Sequence, residues 1–233
     1  MIAYHEHNAE RVRPRLLEHL KSGQKVALVS DAGTPLVSDP GYKLVSAVLE
    51  EGLEVTSLPG PSAPLTALVL SGLPSDRFLF AGFLPTKQLA KRQTLEEFAP
   101  LKATLIFFES AKRLAATLAL MAETLGDRPA AVARELTKRF EEVRRGTLGE
   151  LAAHYEAAGA PKGEIVLVIG PPVAKKTSMD QEEIDALLLE ALSHSPTRSA
   201  AGAIAAATGL PRRELYQRAL TLKRVADDDD ENA

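Results

Sequence analysis

One stretch of sequence, Val26 to Tyr42 (VALVSDAGTPLVSDPGY), constrains the fold more than any other part of the chain. It opens with an apolar run rich in β-branched residues, which is the pattern of a buried strand. Gly33 and Pro35 then predict a stiff turn, and Asp39 before Pro40 predicts a helix start with the carboxylate as N-cap. A strand, a tight loop and a helix in this order expose backbone amides to a small ligand in a parallel α/β sheet. A well-made turn without a ligand is the alternative interpretation.

A second stretch, Val55 to Ala63 (VTSLPGPSA), repeats the arrangement. It also predicts a strand that ends in a loop of prolines, glycine and serine, and Ser62 is placed to cap the helix that follows. Two adjacent parallel strands would bring both loops to the same edge of one sheet. The pair of loops therefore predicts a binding site at that edge.

The pairing of DAGTPLVSDPG with PGPSA resembles the tetrapyrrole-methylase-like S-adenosylmethionine (SAM) methyltransferases. More narrowly, the chain is similar to the bacterial enzymes of that superfamily that methylate a cytidine ribose 2′-hydroxyl in 16S rRNA. Further matching stretches follow in the family's order: YHEHN (Tyr4–Asn8), SGLPSDRFLFAGFLP (Ser71–Pro85), FFESAKR (Phe107–Arg113), ARELTK (Ala133–Lys138), EEVRRGTL (Glu141–Leu148) and KGEIVLVIG (Lys162–Gly170). Any one of these pieces is weak evidence, but the ordered set is specific.

The resemblance implies SAM as cofactor, 16S rRNA in the small ribosomal subunit as partner, and a homodimer. It places cofactor contacts on matching positions of this chain: Asp31, Ala32, Gly33, Thr34, Val37, Ser62, Ala63, Phe108, Glu109, Glu135 and Leu136. Removing a proton from a ribose hydroxyl favours a carboxylate or a neutral lysine at the cleft. Glu109, Glu135 and Lys138 are candidates for that role, but each is equally suited to an ion pair, so no catalytic residue is assigned.

The fold class expected is α/β, with two α/β domains, the cofactor cleft between them, and a small helical C-terminal tail. The expected boundaries are 1–74, 75–172 and 173–226, followed by a disordered acidic end, 227–233. Family members begin with a further strand and a TPIGN-type loop, which do not precede Tyr4 here. This difference predicts either a late start codon or a truncated fragment that binds RNA or SAM without turnover.

The tail has two competing interpretations. Its helices around Gly209 and Pro211 are spaced as in a helix-turn-helix, which predicts RNA contacts through basic residues on the second helix. Those residues are Arg212, Arg213 and Arg218. The alternative is a packing or dimerisation module built on the apolar residues Ile184, Leu188, Ile204 and Leu215.

The amino-acid composition excludes several classes of function for this chain. The chain has 233 residues, 45% of them hydrophobic and 25% charged, which is ordinary for a globular protein. It has no cysteine, so thiolate and zinc-thiolate chemistry are excluded, and no metal site is expected. No apolar run approaches the roughly 20 residues of a membrane span, and a cytoplasmic location is expected. A small-molecule or tetrapyrrole methyltransferase on the same fold remains an alternative function.

Overall fold

The computed structural model describes the backbone of residues 1–172 and 180–231, and the side chains of residues 1–172 and 180–224. The chain divides into two compact units, Met1–Pro172 and Val173–Ala233, and the second is described only over residues 180–231. Residues 173–179, at the start of the expected helical tail, and residues 232–233 lie outside the described residues.

The first unit begins with three helices and continues into a five-stranded sheet. The helices are α1 (Ala9–Lys21), α2 (Tyr42–Glu50) and α3 (Ala63–Ser71). In chain order they are followed by β1 (Phe78–Phe83), α4 (Gln88–Phe98), β2 (Thr104–Glu109), one turn of 3₁₀ helix (Ala111–Arg113), α5 (Leu114–Leu125), β3 (Pro129–Arg134), β4 (Glu142–Thr147), α6 (Leu148–Ala158) and β5 (Ile165–Ile169).

The sheet is mixed, with strand order β1-β2-β5-β3-β4. β1 pairs with β2 in parallel, whereas β5 is antiparallel to both β2 and β3. β1, β2 and β3 therefore point in the same direction, and the loops that follow them emerge at one end of the sheet. β3 and β4 pair antiparallel, as their short connection predicts.

Successive side chains of each strand face opposite sides of the sheet, and both sides are covered. On one side, Leu105 and Phe107 of β2 join the main core, which also contains buried residues of α4, α5 and α6. On the other side, Ile106 packs in a smaller core with Ala67 and Leu68 of α3. We call these the α5 side and the α3 side of the sheet. The mixed α/β sheet and the helical C-terminal unit agree with the expected fold class.

The two strands expected before helices α2 and α3 are not formed. Within the described residues, Val26–Val29 and Val55–Leu58 belong to no strand. Their apolar side chains are largely exposed, with Val29 at 77% and Leu58 at 85% of full exposure. Apolar, β-branched composition gives a segment strand propensity, but a strand also requires a partner for its backbone hydrogen bonds. The prediction was wrong because the pairing partner comes from elsewhere in the fold, and the composition of the segment itself does not show whether that partner is present.

The second unit consists of α7 (Gln181–His194), α8 (Thr197–Thr208) and α9 (Arg212–Glu231). Asp180 starts α7 with a capping box, since its side chain accepts from the Glu183 amide at 2.8 Å. The acidic run 227–231, expected to be disordered, continues α9 as far as Glu231. Helix propagation adds one backbone hydrogen bond for each residue that is fixed, which favours this extension.

None of the described helices combines the length and apolar character that a membrane crossing requires.

Candidate functional site

The loop between residues 30 and 41 is closed on itself by its own side chains. The Ser30 hydroxyl lies 2.6 Å from Oδ2 of Asp39 and 2.8 Å from the carbonyl oxygen of Ala32. Asp39 was expected to cap α2, but the helix begins at Tyr42 and Gly41 is its N-cap. The carboxylate is used to close the loop, and this competing local contact is what moves the helix start.

Gly41 is required by both conformation and space. Its φ of 137° lies in the region that disfavours side chains, and a Cβ there would stand 2.7 Å from Cδ2 of Leu28 and 2.8 Å from Cδ1 of Leu36. Leu36 and Ser38 themselves have φ values of 73° and 58°. Left-handed non-glycine residues are uncommon, and they occur preferentially where a loop serves a ligand.

A direct hydrogen bond joins the two predicted ligand loops. Thr34 donates from Oγ1 to the carbonyl oxygen of Pro61 at 2.9 Å. The two loops are therefore in contact, but the adjacent parallel strands that were expected to place them at one sheet edge are not formed within the described residues. Ser62 is the N-cap of α3, but its side chain makes no capping hydrogen bond there. Its carbonyl oxygen instead accepts from the amide of Thr66 at 2.9 Å.

The first loop reaches the sheet at the carboxyl end of β1. A Cβ on Gly82 would lie 3.3 Å from Oγ of Ser38, so backbone and loop approach closely at this point. Beside it is an aromatic cluster in which the Phe108 ring lies 5.0 Å from that of Phe80 and 5.4 Å from that of Phe83. Phe80 and Phe108 pack with the α3-side core, and Phe83 is 58% exposed. The cluster gives this edge an apolar wall, as an adenosyl group requires.

The loop after β3 is held by the start of β5. Glu135 has a φ of 50°, and its amide donates to the carbonyl oxygen of Glu164 at 3.0 Å. Its carboxylate accepts from the Glu164 amide at 3.0 Å and from Nζ of Lys138 at 2.9 Å. The hydrogen bond from Lys138 lowers the pKa of Glu135, and hydrogen bonds to Glu164 and Glu135 raise that of Lys138. A weakened carboxylate base and a stabilised ammonium are poorly suited to accept a proton near neutrality. Leu136 packs against the α3-side core.

Glu109 is the site residue whose placement differs most from expectation. Strand alternation turns it away from Phe108 toward the α5 side, and its side chain is fully buried. Oε1 accepts from the Ser110 amide at 2.6 Å and from Nη2 of Arg113 at 2.7 Å, while Oε2 accepts from the Thr117 hydroxyl at 2.7 Å. Nζ of Lys91 lies 3.9 Å from Oε2 and donates to Thr117 at 2.8 Å. A ligand on the α3 side can reach Glu109 only through its backbone.

Burial lowers the pKa of Lys91, and the attraction of Glu109 opposes that shift. The network is a structural one: it satisfies charged groups inside the main core.

The predicted residues therefore fall into two groups. Those that share the α3 side or the two loops are Asp31, Ala32, Gly33, Thr34, Val37, Ser62, Ala63, Phe108 and Leu136. Asp31, Ala32 and Gly33 are exposed residues. Glu109 and Glu135 are engaged in ion pairs.

Sequence reasoning missed Ser38 and Phe80. The phenylalanines of the stretches FLFAGF and FFESAKR were the available signal for the aromatic wall.

Comparison with known proteins places the chain in a family. The family model described as Tetrapyrrole (Corrin/Porphyrin) Methylases matches residues 3–152, which is more than half of the chain. The chain belongs to the tetrapyrrole methylase family. A second model, described as RsmI C-terminal HTH domain, matches residues 178–223.

Curated relatives narrow this assignment. The ribosomal RNA small subunit methyltransferase I of Mesorhizobium japonicum is 54% identical over 229 residues, which cover 98% of this chain and 77% of that protein. The protein of the same name from Halalkalibacterium halodurans is 42% identical and is covered over 76% of its length. Within the tetrapyrrole methylases, the chain thus belongs to the ribosomal RNA small subunit methyltransferase I family, and it is a SAM-dependent methyltransferase.

The solved structures agree on the fold. A diphthine synthase crystal structure has a TM-score of 0.52 and 17% sequence identity, with 72% of this chain and 68% of that chain covered.

The C-terminal unit has the helix-turn-helix arrangement that the spacing predicted. Its core is formed by Leu188, Ala201, Leu215 and Ala219, with Ile184 and Ile204 packed around them. The apolar residues offered for dimerisation are therefore internal to the unit. Arg218 is also engaged, because it donates from Nε and Nη2 to Asp185 at 2.8 and 2.5 Å. The exposed basic residues at the start of α9 are Arg212 and Arg213.

Proposed function

We propose that the protein transfers the methyl group of SAM to the ribose 2′-hydroxyl of a cytidine in 16S rRNA. The observation that carries the proposal is the pair of ligand loops, joined by Thr34 and Pro61, beside the aromatic wall of a chain closely similar to proteins named ribosomal RNA small subunit methyltransferase I. The residues at this edge suit the cofactor. The methionyl carboxylate needs amide donors and the adenine ring needs an apolar wall.

SAM supplies an already electrophilic methyl group, so the protein's task is to hold and orient the reactants. The amides of the exposed residues 31–33 and the N-terminus of α3 at Ala63 would hold the methionyl carboxylate. Phe80 and Phe108 would take the adenosyl group. Gly41 and the left-handed residues beside it keep the first loop in one conformation before the ligand arrives, which reduces the entropy cost of binding.

The second unit supplies an RNA-binding surface in this proposal. Arg212 and Arg213 are exposed at the start of α9, one turn from Tyr216, which is 37% exposed. Cations beside an aromatic ring suit phosphates and bases of RNA. Arg218 is excluded from this surface because Asp185 neutralises it.

The proposal also covers the domain boundary, the oligomeric state and the location of the protein. We propose a boundary near Ser75 within the first unit, with the cofactor between residues 1–74 and 75–172. A homodimer and a cytoplasmic location suit an enzyme that acts on a large ribosomal particle. A tetrapyrrole substrate is not favoured, since the curated relatives of high identity are named for ribosomal RNA.

Methyl transfer from radiolabelled SAM to small ribosomal subunits tests the proposal. The subunits should come from a strain that lacks the corresponding enzyme, and the rRNA should be digested to nucleosides for mass spectrometry. We expect a gain of 2′-O-methylcytidine. Label that appears only on a base, or on no nucleoside at all, would refute the proposed reaction.

A further inference from the structure

The loop between β3 and β4 carries an exposed aromatic residue that no core explains. Phe140 is 64% exposed, and the guanidinium carbon of Arg139 lies 5.6 Å from the centre of its ring. Both side chains project from the segment 135–141, which follows β3 at the end of the sheet where β1 and β2 also end. The pair therefore lies at the same end of the sheet as the aromatic wall of the cofactor site.

The backbone that presents this pair is fixed at several points. The Thr137 amide donates to Oε2 of Glu141 at 2.6 Å, and the Lys138 amide donates to the carbonyl oxygen of Glu135 at 3.0 Å. The Glu141 amide in turn donates to the carbonyl oxygen of Lys138 at 3.2 Å. Glu135 is also tied to the start of β5 through Glu164. A loop held in this way displays its side chains at little further entropy cost on binding.

The basic residues of the loop differ in what they contact. Lys138 is bound between Glu135 and Glu164, and Arg134 pairs with Glu142 at 2.9 Å. Arg139 instead lies over an aromatic ring. An exposed ring with an adjacent guanidinium is the combination that recognises unpaired RNA, because the ring stacks on a base while the cation meets a phosphate.

We propose that Phe140 and Arg139 form a stacking platform for an unpaired base of the RNA substrate, next to the nucleotide that is methylated. This inference rests on the proposed function, since it assigns the RNA contact to the catalytic unit as well as to the helix-turn-helix. Base stacking of this kind is worth about 5-fold to 150-fold in affinity when the ring is removed.

A kinetic experiment with matched variants tests the platform. Phe140→Ala should raise KM for small ribosomal subunits by about 5-fold to 150-fold, while SAM affinity and the melting temperature stay unchanged. Phe140→Tyr should retain the wild-type KM, and Phe140→Leu should behave like Phe140→Ala because it lacks a ring. Phe78→Ala is the control, since Phe78 is a 44% exposed phenylalanine at the opposite end of the sheet. An unchanged KM for Phe140→Ala, or a wild-type KM for Phe140→Leu, would overturn the proposal.

A fluorescence experiment separates the platform from the proposed reaction. The chain contains no tryptophan, so Phe140→Trp introduces a single reporter, and Phe78→Trp provides its control. A short single-stranded RNA oligonucleotide should quench the emission at position 140 and leave that at position 78 unchanged. If wild-type protein methylates no rRNA but quenching occurs, the proposed function fails and the platform stands. Emission at position 140 that responds to protein concentration and not to RNA would show a contact between copies of the chain, and would overturn the platform.

Discussion

Replacing Glu109 by Gln separates a structural role for this carboxylate from a role in binding the cofactor. The side chain has no solvent exposure, and its two oxygens accept from the Ser110 amide, Arg113 and Thr117. Glutamine has the same shape but carries no charge, and its amide group would present a donor where donors already point. We therefore expect a loss of folding stability and an unchanged site on the other side of the sheet.

The size of the expected stability loss follows from the burial of the Glu109 side chain. Removing one partner of a buried ion pair costs about 3–5 kcal/mol, because the remaining charge is left uncompensated. Burial lowers the pKa of Lys91 and thus destabilises its charged form, and the side chain of Arg113 is 28% exposed, so the lower end of that range applies. In a unit of this size each kcal/mol corresponds to roughly 2–4 °C in melting temperature. We expect Glu109→Gln to melt roughly 6–12 °C lower.

Thermal unfolding and calorimetric titration with SAM, on the same preparations, measure both quantities. Glu123→Gln is the matched control, because it breaks an exposed ion pair with Arg92 that joins α4 and α5, the helices that carry Lys91 and Thr117. That control should melt close to wild type. An unchanged melting temperature for Glu109→Gln together with a lost SAM affinity would refute the structural role.

Three further predictions concern other parts of the chain. Thr34→Val should weaken SAM binding by about 2-fold to 10-fold, because it removes the hydrogen bond to Pro61, whereas Thr34→Ser should bind normally in the same titration. Charge-assisted hydrogen bonds from Arg218 lower the pKa of Asp185 in the folded protein. The stability that this ion pair contributes is therefore complete above the pKa of Asp185 in the unfolded chain, and it is lost as the pH falls through the pKa in the folded protein. The melting temperature of wild type should thus decrease more on acidification than that of Asp185→Asn. Leu188→Ala should destabilise the second unit by about 2–5 kcal/mol, and light scattering should show an unchanged oligomer mass, because Leu188 lies in that unit's own core.

Local composition is sufficient to identify some strands of the first unit. β2 (Thr104–Glu109) and β3 (Pro129–Arg134) are apolar runs bounded by turn residues, and β3 pairs with β4 across a short connection. The partner that β2 and β3 share, β5, lies much further along the chain from β2. The segment Val26–Val29 has the same kind of composition, yet it forms no strand in the described structure. Composition measures propensity, whereas strand formation depends on a partner elsewhere in the fold.

The sequence predicted that the two loops lie close together, but not how they are held. Thr34 contacts Pro61, whereas the adjacent strands that were expected to bring the loops to one sheet edge are not formed in the described residues. The placement of Glu109 does not follow from its position at a strand end, but the period of two residues along a strand already assigns Phe108 and Glu109 to opposite faces. Asp39 shows a different difficulty. Its contact with Ser30 is a local alternative to the helix cap, and sequence spacing alone does not choose between them.

A crystal structure of the protein with S-adenosylhomocysteine would show directly where the cofactor binds. We expect the ligand to lie between the loop of residues 30–41 and the start of α3, with its adenosine against Phe80 and Phe108 and its carboxylate on the amides near Gly33. Glu109 should remain bound to Arg113 and make no side-chain contact with the ligand. A ligand on the α5 side of the sheet, in contact with the Glu109 carboxylate, would contradict the account.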